Sequence, residues 1–132
     1  MSFLGKEYKV YKKENCDDLL KYLGVPEDQL EAVNSFNPTE KFEKNGDTYV
    51  YYTQEVKGPV EVKFKSGEEF DYVLMDEPTR TTIVVDGNTV TQTTKSAKNV
   101  TFYKREFNGD ELVGTFWAEG FDGAYKFHYK AI

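Results

Sequence analysis

Turn-forming residues recur along this chain at short and even intervals from residue 37 onward. They are groups of Gly, Asn, Asp, Ser and Pro, and successive groups are about 8–13 residues apart. Turns at that spacing are typical of short antiparallel strands joined by tight hairpins. The groups lie at residues 45–47, 58–59, 66–67, 76–78, 86–88, 96–99, 108–110 and 122–123. This pattern predicts an all-β protein built from successive hairpins.

Apolar and polar residues alternate between these turns. In residues 60–64 two valines and a phenylalanine share one face, and a glutamate and a lysine share the other. The same alternation runs through residues 125–130, where aromatic and basic residues take turns. The pattern predicts one strand near residues 5–14 and about nine more between residues 38 and 131.

Residues 16–36 lack this alternation and carry helix signals instead. Asn15 or Asp17 is expected to cap a first short helix, and Gly24 to end it. Pro26 suits the first turn of a second short helix. The predicted order is therefore a strand, a helix–turn–helix segment and a long meander of hairpins.

About ten antiparallel strands in a chain of 132 residues predict an up-and-down β-barrel. An open sheet has two unpaired edges, and closure of the sheet removes them. A ten-stranded barrel is wider than the eight-stranded barrel that side chains roughly fill, so we expect an internal cavity. Two short helices suit a lid over one end. Residues 1–132 are predicted to form a single domain, with the lid at about residues 16–36.

Charge and cysteine content limit the compartment and the partners. The chain has 17 Lys and Arg against 23 Asp and Glu, and its net charge of −6 argues against nucleic acid as a partner. Cys16 is the single cysteine, so no intrachain disulfide is expected. The first residues lack the apolar core of a signal peptide, and no apolar run reaches the roughly 20 residues of a membrane-spanning helix. We expect a cytoplasmic monomer.

Residue types that carry catalysis are scarce. His128 is the sole histidine and faces solvent by the alternation of its strand, and Cys16 lies far from it along the chain. The glycines at residues 86–88 and 108–110 indicate hairpin turns rather than phosphate-binding loops. The acidic residues at 68–71 lack the spacing of a calcium loop. We therefore expect no enzyme activity, no metal and no cofactor.

Several short motifs follow one another in the order found in a known family. Residues 6–10 (Lys-Glu-Tyr-Lys-Val) and 15–25 (Asn-Cys-Asp-Asp-Leu-Leu-Lys-Tyr-Leu-Gly-Val) resemble the amino-terminal signature of the cytosolic fatty-acid-binding proteins, a family that includes the cellular retinoid-binding proteins. Further matching segments are residues 37–39, 43–47, 64–71, 85–87, 105–111 and 129–131. The resemblance spans the chain and is strongest to invertebrate members. It implies a ten-stranded β-clam with a helical portal and an internal site for one long apolar ligand.

The resemblance also implies how a ligand carboxylate is held, and here the chain departs from the family pattern. Many members carry Arg-x-Tyr on the last strand, whereas this chain has Phe127 and Tyr129 at those positions. The second basic position is kept as Arg105. We expect Arg105 and Tyr129 to hold the carboxylate of a long-chain fatty acid, helped by Gln92. Because a buried unpaired arginine is costly, that carboxylate, an acidic neighbour such as Glu40 or ordered water must offset its charge.

Loss of one buried cation leaves a second ligand class open. A neutral lipid, retinoid or isoprenoid is the alternative to a fatty acid, because Phe127 replaces the usual arginine. Three lysines at the lid are expected to make at most transient contact with anionic membranes. They are Lys12, Lys13 and Lys21.

Inward-facing aromatic side chains are expected either to touch the ligand or to fill the barrel wall. The candidates are Tyr49, Tyr51, Phe64, Phe70, Tyr103, Phe107 and Phe116. The apolar side chains of the helices are expected to belong to the core rather than to the ligand site. They are Leu20, Leu23, Leu30 and Val33.

Overall fold

The computed structural model describes residues 3–55, 58–74 and 77–132. The first strand, β1 (Glu7–Glu14), is followed by α1 (Asp17–Tyr22), a 3-10 turn (Glu27–Gln29) and α2 (Leu30–Ser35). The later strands are β2 (Thr39–Asn45), β3 (Thr48–Glu55), β4 (Gly58–Phe64), β5 (Glu69–Leu74), β6 (Glu77–Asp86), β7 (Thr89–Lys95), β8 (Val100–Asn108), β9 (Glu111–Ala118) and β10 (Tyr125–Ala131). The predicted order of one strand, a helical pair and a long run of strands is confirmed.

The strands form one antiparallel sheet in the order β4-β3-β2-β1-β10-β9-β8-β7-β6-β5. Pairing of β1 with β10 brings the first and last strands together and joins the two halves of the sheet. Among the described residues no ladder joins β4 to β5, so the barrel is nearly closed and keeps one gap. Tyr72 on β5 donates a hydrogen bond to the Glu55 carboxylate on β3 across this gap. The predicted ten-stranded β-clam is confirmed.

Glycine supplies the backbone conformation that the tight turns need. Gly87 and Gly109 have φ angles of 60° and 63°, which glycine adopts without a steric penalty. Each begins a two-residue hairpin turn whose twist matches its strands. The predicted turn at 58–59 is wrong, because both residues lie in the first part of β4 and pair with β3. The predicted turn at 76–78 begins on a residue outside the described ranges.

Helix α1 begins without the side-chain cap that the sequence predicts. Its N-cap residue is Cys16, and neither Asn15 nor Asp17 caps the first turn. The Asp17 carboxylate instead accepts a hydrogen bond of 2.8 Å from the Asn34 side chain on α2, which ties the two helices together. Gly24, with a φ of 93°, follows the end of α1 as predicted.

Two clusters of buried side chains occupy opposite ends of the barrel interior. The base cluster consists of Phe3, Tyr8, Val10, Phe42, Tyr49, Tyr51, Phe64, Ile83, Val90, Phe107, Leu112 and Tyr129. The lid cluster consists of Leu19, Leu20, Leu30, Ala118 and Tyr125. Aromatic rings interlock in the base cluster, where Phe3 stacks on Phe107 with ring centroids 4.1 Å apart. The base of the barrel is therefore filled, and open volume lies towards the helices.

Lys13 fastens the helical lid to the barrel. It lies on β1, and its ammonium group donates hydrogen bonds to the carbonyls of Asn34 and Phe36, the latter at 2.9 Å. These carbonyls lie at the end of α2, where no further turn of helix can satisfy them. Of the three lid lysines considered for membrane contact, Lys13 is therefore already engaged, since its side chain is half-buried and hydrogen-bonded.

Substitution of this lysine is expected to loosen the lid. Lys13→Met keeps the alkyl chain and removes the donor, so the free energy of unfolding should fall by about 1–2 kcal/mol. Hydrogen exchange of the α2 amides should accelerate more than exchange in the base strands. Lys12→Met, at an exposed neighbour, is the matched control and should change neither quantity. Equal exchange in both variants would show that Lys13 does not hold the helix.

Candidate functional site

Two adjoining cavities lie between the helices and the base cluster, and they share Leu20, Val33 and Phe116 as walls. The outer cavity has a volume of about 490 Å³ and is bounded by both helices and the ends of the strands that face them. The inner cavity has a volume of about 260 Å³. Its walls are Leu20, Val33, Pro38, Glu40, Tyr103, Phe116, Tyr125, Phe127 and Tyr129. Together they offer the space of a small-molecule site with a largely apolar lining.

A buried ion pair lies next to the inner cavity. Arg105 on β8 and Glu40 on β2 are 1% and 3% exposed. Arg105 Nε donates to Glu40 Oε1 at 2.8 Å, and Nη2 lies 3.3 Å from Oε2. This near-bidentate contact satisfies two of the three guanidinium nitrogens with one carboxylate. Glu40 is thus the anion that offsets the charge of Arg105 in this structure.

Two further side chains complete the polar network around this pair. The Tyr51 hydroxyl donates to the Glu40 carboxylate and accepts from Arg105 Nη2 at 3.0 Å. The side-chain carbonyl of Gln92 accepts a hydrogen bond from the same nitrogen at 3.1 Å. Among the described residues, Nη1 of Arg105 has no hydrogen-bond partner although it is buried. This nitrogen is therefore a donor that a ligand or a water molecule can satisfy.

The charges of this network hold its groups in defined protonation states. Burial lowers the pKa of Arg105, but the charge and hydrogen bond of Glu40, together with Tyr51 and Tyr103, outweigh burial and raise this pKa well above its usual value. Burial and then the charge of Glu40 raise the pKa of Tyr51 far above its ordinary range. Arg105 is therefore a permanent cation and Tyr51 a permanent hydrogen-bond donor.

Aromatic rings enclose the guanidinium of Arg105. Its central carbon lies 4.3 Å from the ring centroid of Tyr103 and 4.8 Å from that of Tyr51. Cations at these distances are attracted to the faces of aromatic rings. Tyr103 therefore packs against the cation and also borders the inner cavity.

Two tyrosines that line the inner cavity are joined through their hydroxyls. Tyr103 Oη and Tyr129 Oη are 2.6 Å apart and form one hydrogen bond. Burial raises the pKa of both groups well above the usual value, so both remain neutral. Each neutral hydroxyl can donate once and accept as well, so the pair can bind a polar head group in addition to its own bond.

The structure places the predicted site residues in three environments. Tyr103, Phe116, Phe127 and Tyr129 line the inner cavity. Arg105, Gln92 and Tyr51 form the polar network beside it. Phe64 and Phe70 pack in or against the base cluster and line neither cavity. The Tyr129 hydroxyl bonds to the Tyr103 hydroxyl, and its expected part with Arg105 in holding a ligand carboxylate stays a prediction.

Sequence reasoning missed part of the cavity wall. Leu20 and Val33, expected as core, line both cavities as well as packing in or against the lid cluster. Tyr125 and Pro38 were not among the expected wall residues. Tyr125 shares the alternation of Phe127 and Tyr129 on β10, and that signal could have identified it.

The described residues contain neither a cluster of metal ligands nor a membrane-spanning helix. No group of three or more His, Cys, Asp or Glu side chains lies close enough in residues 3–55, 58–74 and 77–132 to hold a metal ion. Within the same ranges, no helix has the length and apolar character needed to cross a bilayer.

Known proteins resemble this chain along its whole length. Fatty acid-binding protein 2 of Manduca sexta is 42% identical over 132 residues, which cover 99% of this chain and 100% of that protein. The solved structure of a fatty-acid-binding protein isolated from Manduca sexta has a TM-score of 0.91, with 41% identity, 98% coverage of this chain and 100% of that one. The Schistosoma mansoni fatty acid binding protein in complex with arachidonic acid has a TM-score of 0.88, 29% identity and coverage of 99% and 96%. No protein-family model matches the chain.

Proposed function

The chain belongs to the fatty-acid-binding protein family, and from this we infer that it is a non-catalytic carrier of one long-chain fatty acid. The observation that carries the proposal is the inner cavity beneath the helices, whose walls are mostly apolar side chains. A long acyl chain loses its contact with water in such a cavity, and this burial is favourable. A related protein of the same fold is described in complex with arachidonic acid.

For the head group we propose a site at the hydroxyl of Tyr129 and the free nitrogen of Arg105. Tyr129 lines the inner cavity, and Nη1 of Arg105 is the donor that lacks a partner among the described residues. Phe127 takes the place that a second arginine has in many relatives and adds apolar surface to the cavity instead. Phe116 borders both cavities, and we propose that it contacts the acyl chain.

A second candidate is a carrier of a neutral lipid such as a retinoid or an isoprenoid alcohol. The observation that favours it is the hydroxyl pair of Tyr103 and Tyr129, which can exchange hydrogen bonds with a ligand hydroxyl without any change of charge. Both candidates share the cavity and differ in the head group alone.

The proposal includes the setting in which the carrier acts. We propose a cytoplasmic monomer without a cofactor, which makes at most transient contact with membranes. The single half-buried Cys16 suits a reducing compartment, because the chain has no second cysteine for an internal disulfide. Lys12 and Lys21, which are exposed at the lid, are the basic residues that such a contact would use.

Calorimetric titration with oleate tests the carrier function. We expect one binding site per chain, and Val33→Trp should weaken binding by about tenfold or more because the larger side chain fills both cavities. Val84→Trp makes the same change on an exposed residue of β6 and should leave binding unaltered. Absence of saturable binding, or equal affinity in the two variants, contradicts a carrier role for the cavity.

A further inference from the structure

Of the two members of the buried ion pair, Glu40 borders the inner cavity and Arg105 does not. Glu40 belongs to the wall of this cavity, whereas Arg105 lines neither of the two cavities described above. The ring of Tyr103, a residue that also borders this cavity, has its centroid 4.3 Å from the guanidinium carbon. Of the ion pair it is therefore Glu40 that a ligand in the inner cavity approaches, although the surface of this cavity is almost wholly apolar.

The charge of Arg105 is already balanced by Glu40. The two groups contribute one positive and one negative charge, both almost completely buried, and their contact at 2.8 Å is that of a charge-assisted hydrogen bond. Among the described residues that line the inner cavity, Glu40 is the one that carries a charge. A fatty-acid anion would add a second negative charge to a site with a single cation, and buried unbalanced charge is costly.

We propose that Glu40 is a specificity-determining residue that makes the head-group site accept neutral head groups at least as well as carboxylates. The inference rests on the proposed carrier function and names the chemistry of its ligand. Glu40 occupies Nε and Nη2 of Arg105, so a carboxylate can reach only Nη1 unless it displaces Glu40. A hydroxyl head group needs no such displacement and is satisfied by the pair of Tyr103 and Tyr129.

The surroundings of Phe127 are apolar. Its ring lies near those of Tyr103 and Tyr125, with ring centroids 5.8 and 4.7 Å away. The remaining cation is balanced within the protein by Glu40. The interior is thus electrically neutral in the absence of a ligand, and it stays neutral when the ligand is an alcohol.

The test compares oleate with oleyl alcohol, which share one acyl chain, by displacement of the neutral dye Nile red at pH 8, where a free carboxylic acid is ionised. For the unmodified protein we expect dissociation constants within about threefold of each other, or tighter binding of the alcohol. Glu40→Gln removes the balancing anion and keeps the shape of the side chain. Relative to oleyl alcohol, oleate should bind this variant more tightly by about tenfold or more than it binds the unmodified protein.

Two further variants keep the inference falsifiable if Glu40→Gln folds poorly. The double variant Glu40→Gln/Arg105→Gln has no charge in the site, so its ratio should stay within about threefold of the unmodified protein. Glu14→Gln changes the net charge by the same amount at an exposed carboxylate that pairs with His128, and it should leave the ratio unchanged.

The outcomes separate the inference from the proposed function. Oleate binding more than about tenfold tighter than the alcohol in the unmodified protein, together with loss of that preference in the double variant, would establish Arg105 as the carboxylate anchor and overturn the inference. The inference is also overturned if Glu40→Gln folds and the ratio of the two dissociation constants stays unchanged. In both cases the carrier function stands, because both ligands bind. If neither ligand binds the unmodified protein or any of the variants, the carrier function itself is overturned.

Discussion

Removal of either member of the buried ion pair is expected to lower the free energy of unfolding by about 3–5 kcal/mol, because the partner then remains as an unpaired buried charge. The single variants are Glu40→Gln and Arg105→Gln. Each keeps a polar side chain of similar length, so the loss reports the charge rather than a large cavity. Urea unfolding followed by far-ultraviolet circular dichroism measures the change.

The double variant isolates the interaction between the two charges. Glu40→Gln/Arg105→Gln leaves no unpaired charge, so we expect it to be more stable than either single variant. Glu69→Gln is the control, since Glu69 pairs with Arg80 at 2.8 Å on the surface and should leave the unfolding midpoint nearly unchanged. If the single buried variants are as stable as this control, the pair does not balance charge as described.

Gly114→Ala is expected to disrupt the head-group site and to reduce stability by about 1–3 kcal/mol. A Cβ atom at Gly114 on β9 would lie 2.1 Å from the Tyr103 hydroxyl oxygen and 2.5 Å from the ring carbon that bears it. Tyr103 cannot move aside easily, because its ring covers Arg105 and its hydroxyl bonds to Tyr129. Near-ultraviolet circular dichroism should report the displaced ring.

A second substitution identifies the source of this strain. In a Tyr103→Leu background the atoms nearest to residue 114 are gone, so Gly114→Ala should cost less than about 0.5 kcal/mol there. The same cost in both backgrounds would mean that the strain arises in the β9 backbone rather than from the ring. The single variant Tyr103→Leu also loses the hydrogen bond between Tyr103 and Tyr129, so it should bind oleyl alcohol more weakly.

Alternation and turn chemistry were sufficient to predict the strands and their inward faces. On β10, Tyr125 and Tyr129 are buried while Lys126 and Lys130 are exposed, as the pattern of residues 125–130 predicts. A shift of the register by one residue would reverse both sets, so a barrel with an apolar interior permits one arrangement. The helical pair was predictable from the loss of alternation, because Gly24 and Pro26 mark the end of one helix and the approach to the next.

Contacts across the barrel could not be predicted in the same way. Alternation shows that Arg105 points inward, but it does not show which of several inward side chains on distant strands lies opposite. Glu40 is 65 residues away in the chain, and the sequence indicated it only as one of three ways to balance the charge. Its contact depends on the curvature of the whole sheet, which no local pattern encodes.

Alternation also does not predict how deep inside the barrel an inward-facing side chain lies. Phe64 and Phe116 both have inward positions, yet Phe64 packs in the base cluster and Phe116 borders the two cavities. Their difference follows from how far each lies from the helical end of the barrel, and alternation carries no information about that distance. The start of α1 is a further case, since Asp17 bonds to Asn34 on the other helix instead of capping its own.

A crystal structure of the protein with oleate tests the central claim most directly, namely that the space beneath the helices binds one long apolar chain. We predict a single acyl chain in the inner cavity, in contact with Phe116 and Phe127, with its head group within hydrogen-bond distance of the Tyr129 hydroxyl. An acyl chain bound on the outer surface of the barrel, with the inner cavity closed by its own side chains, would contradict this account.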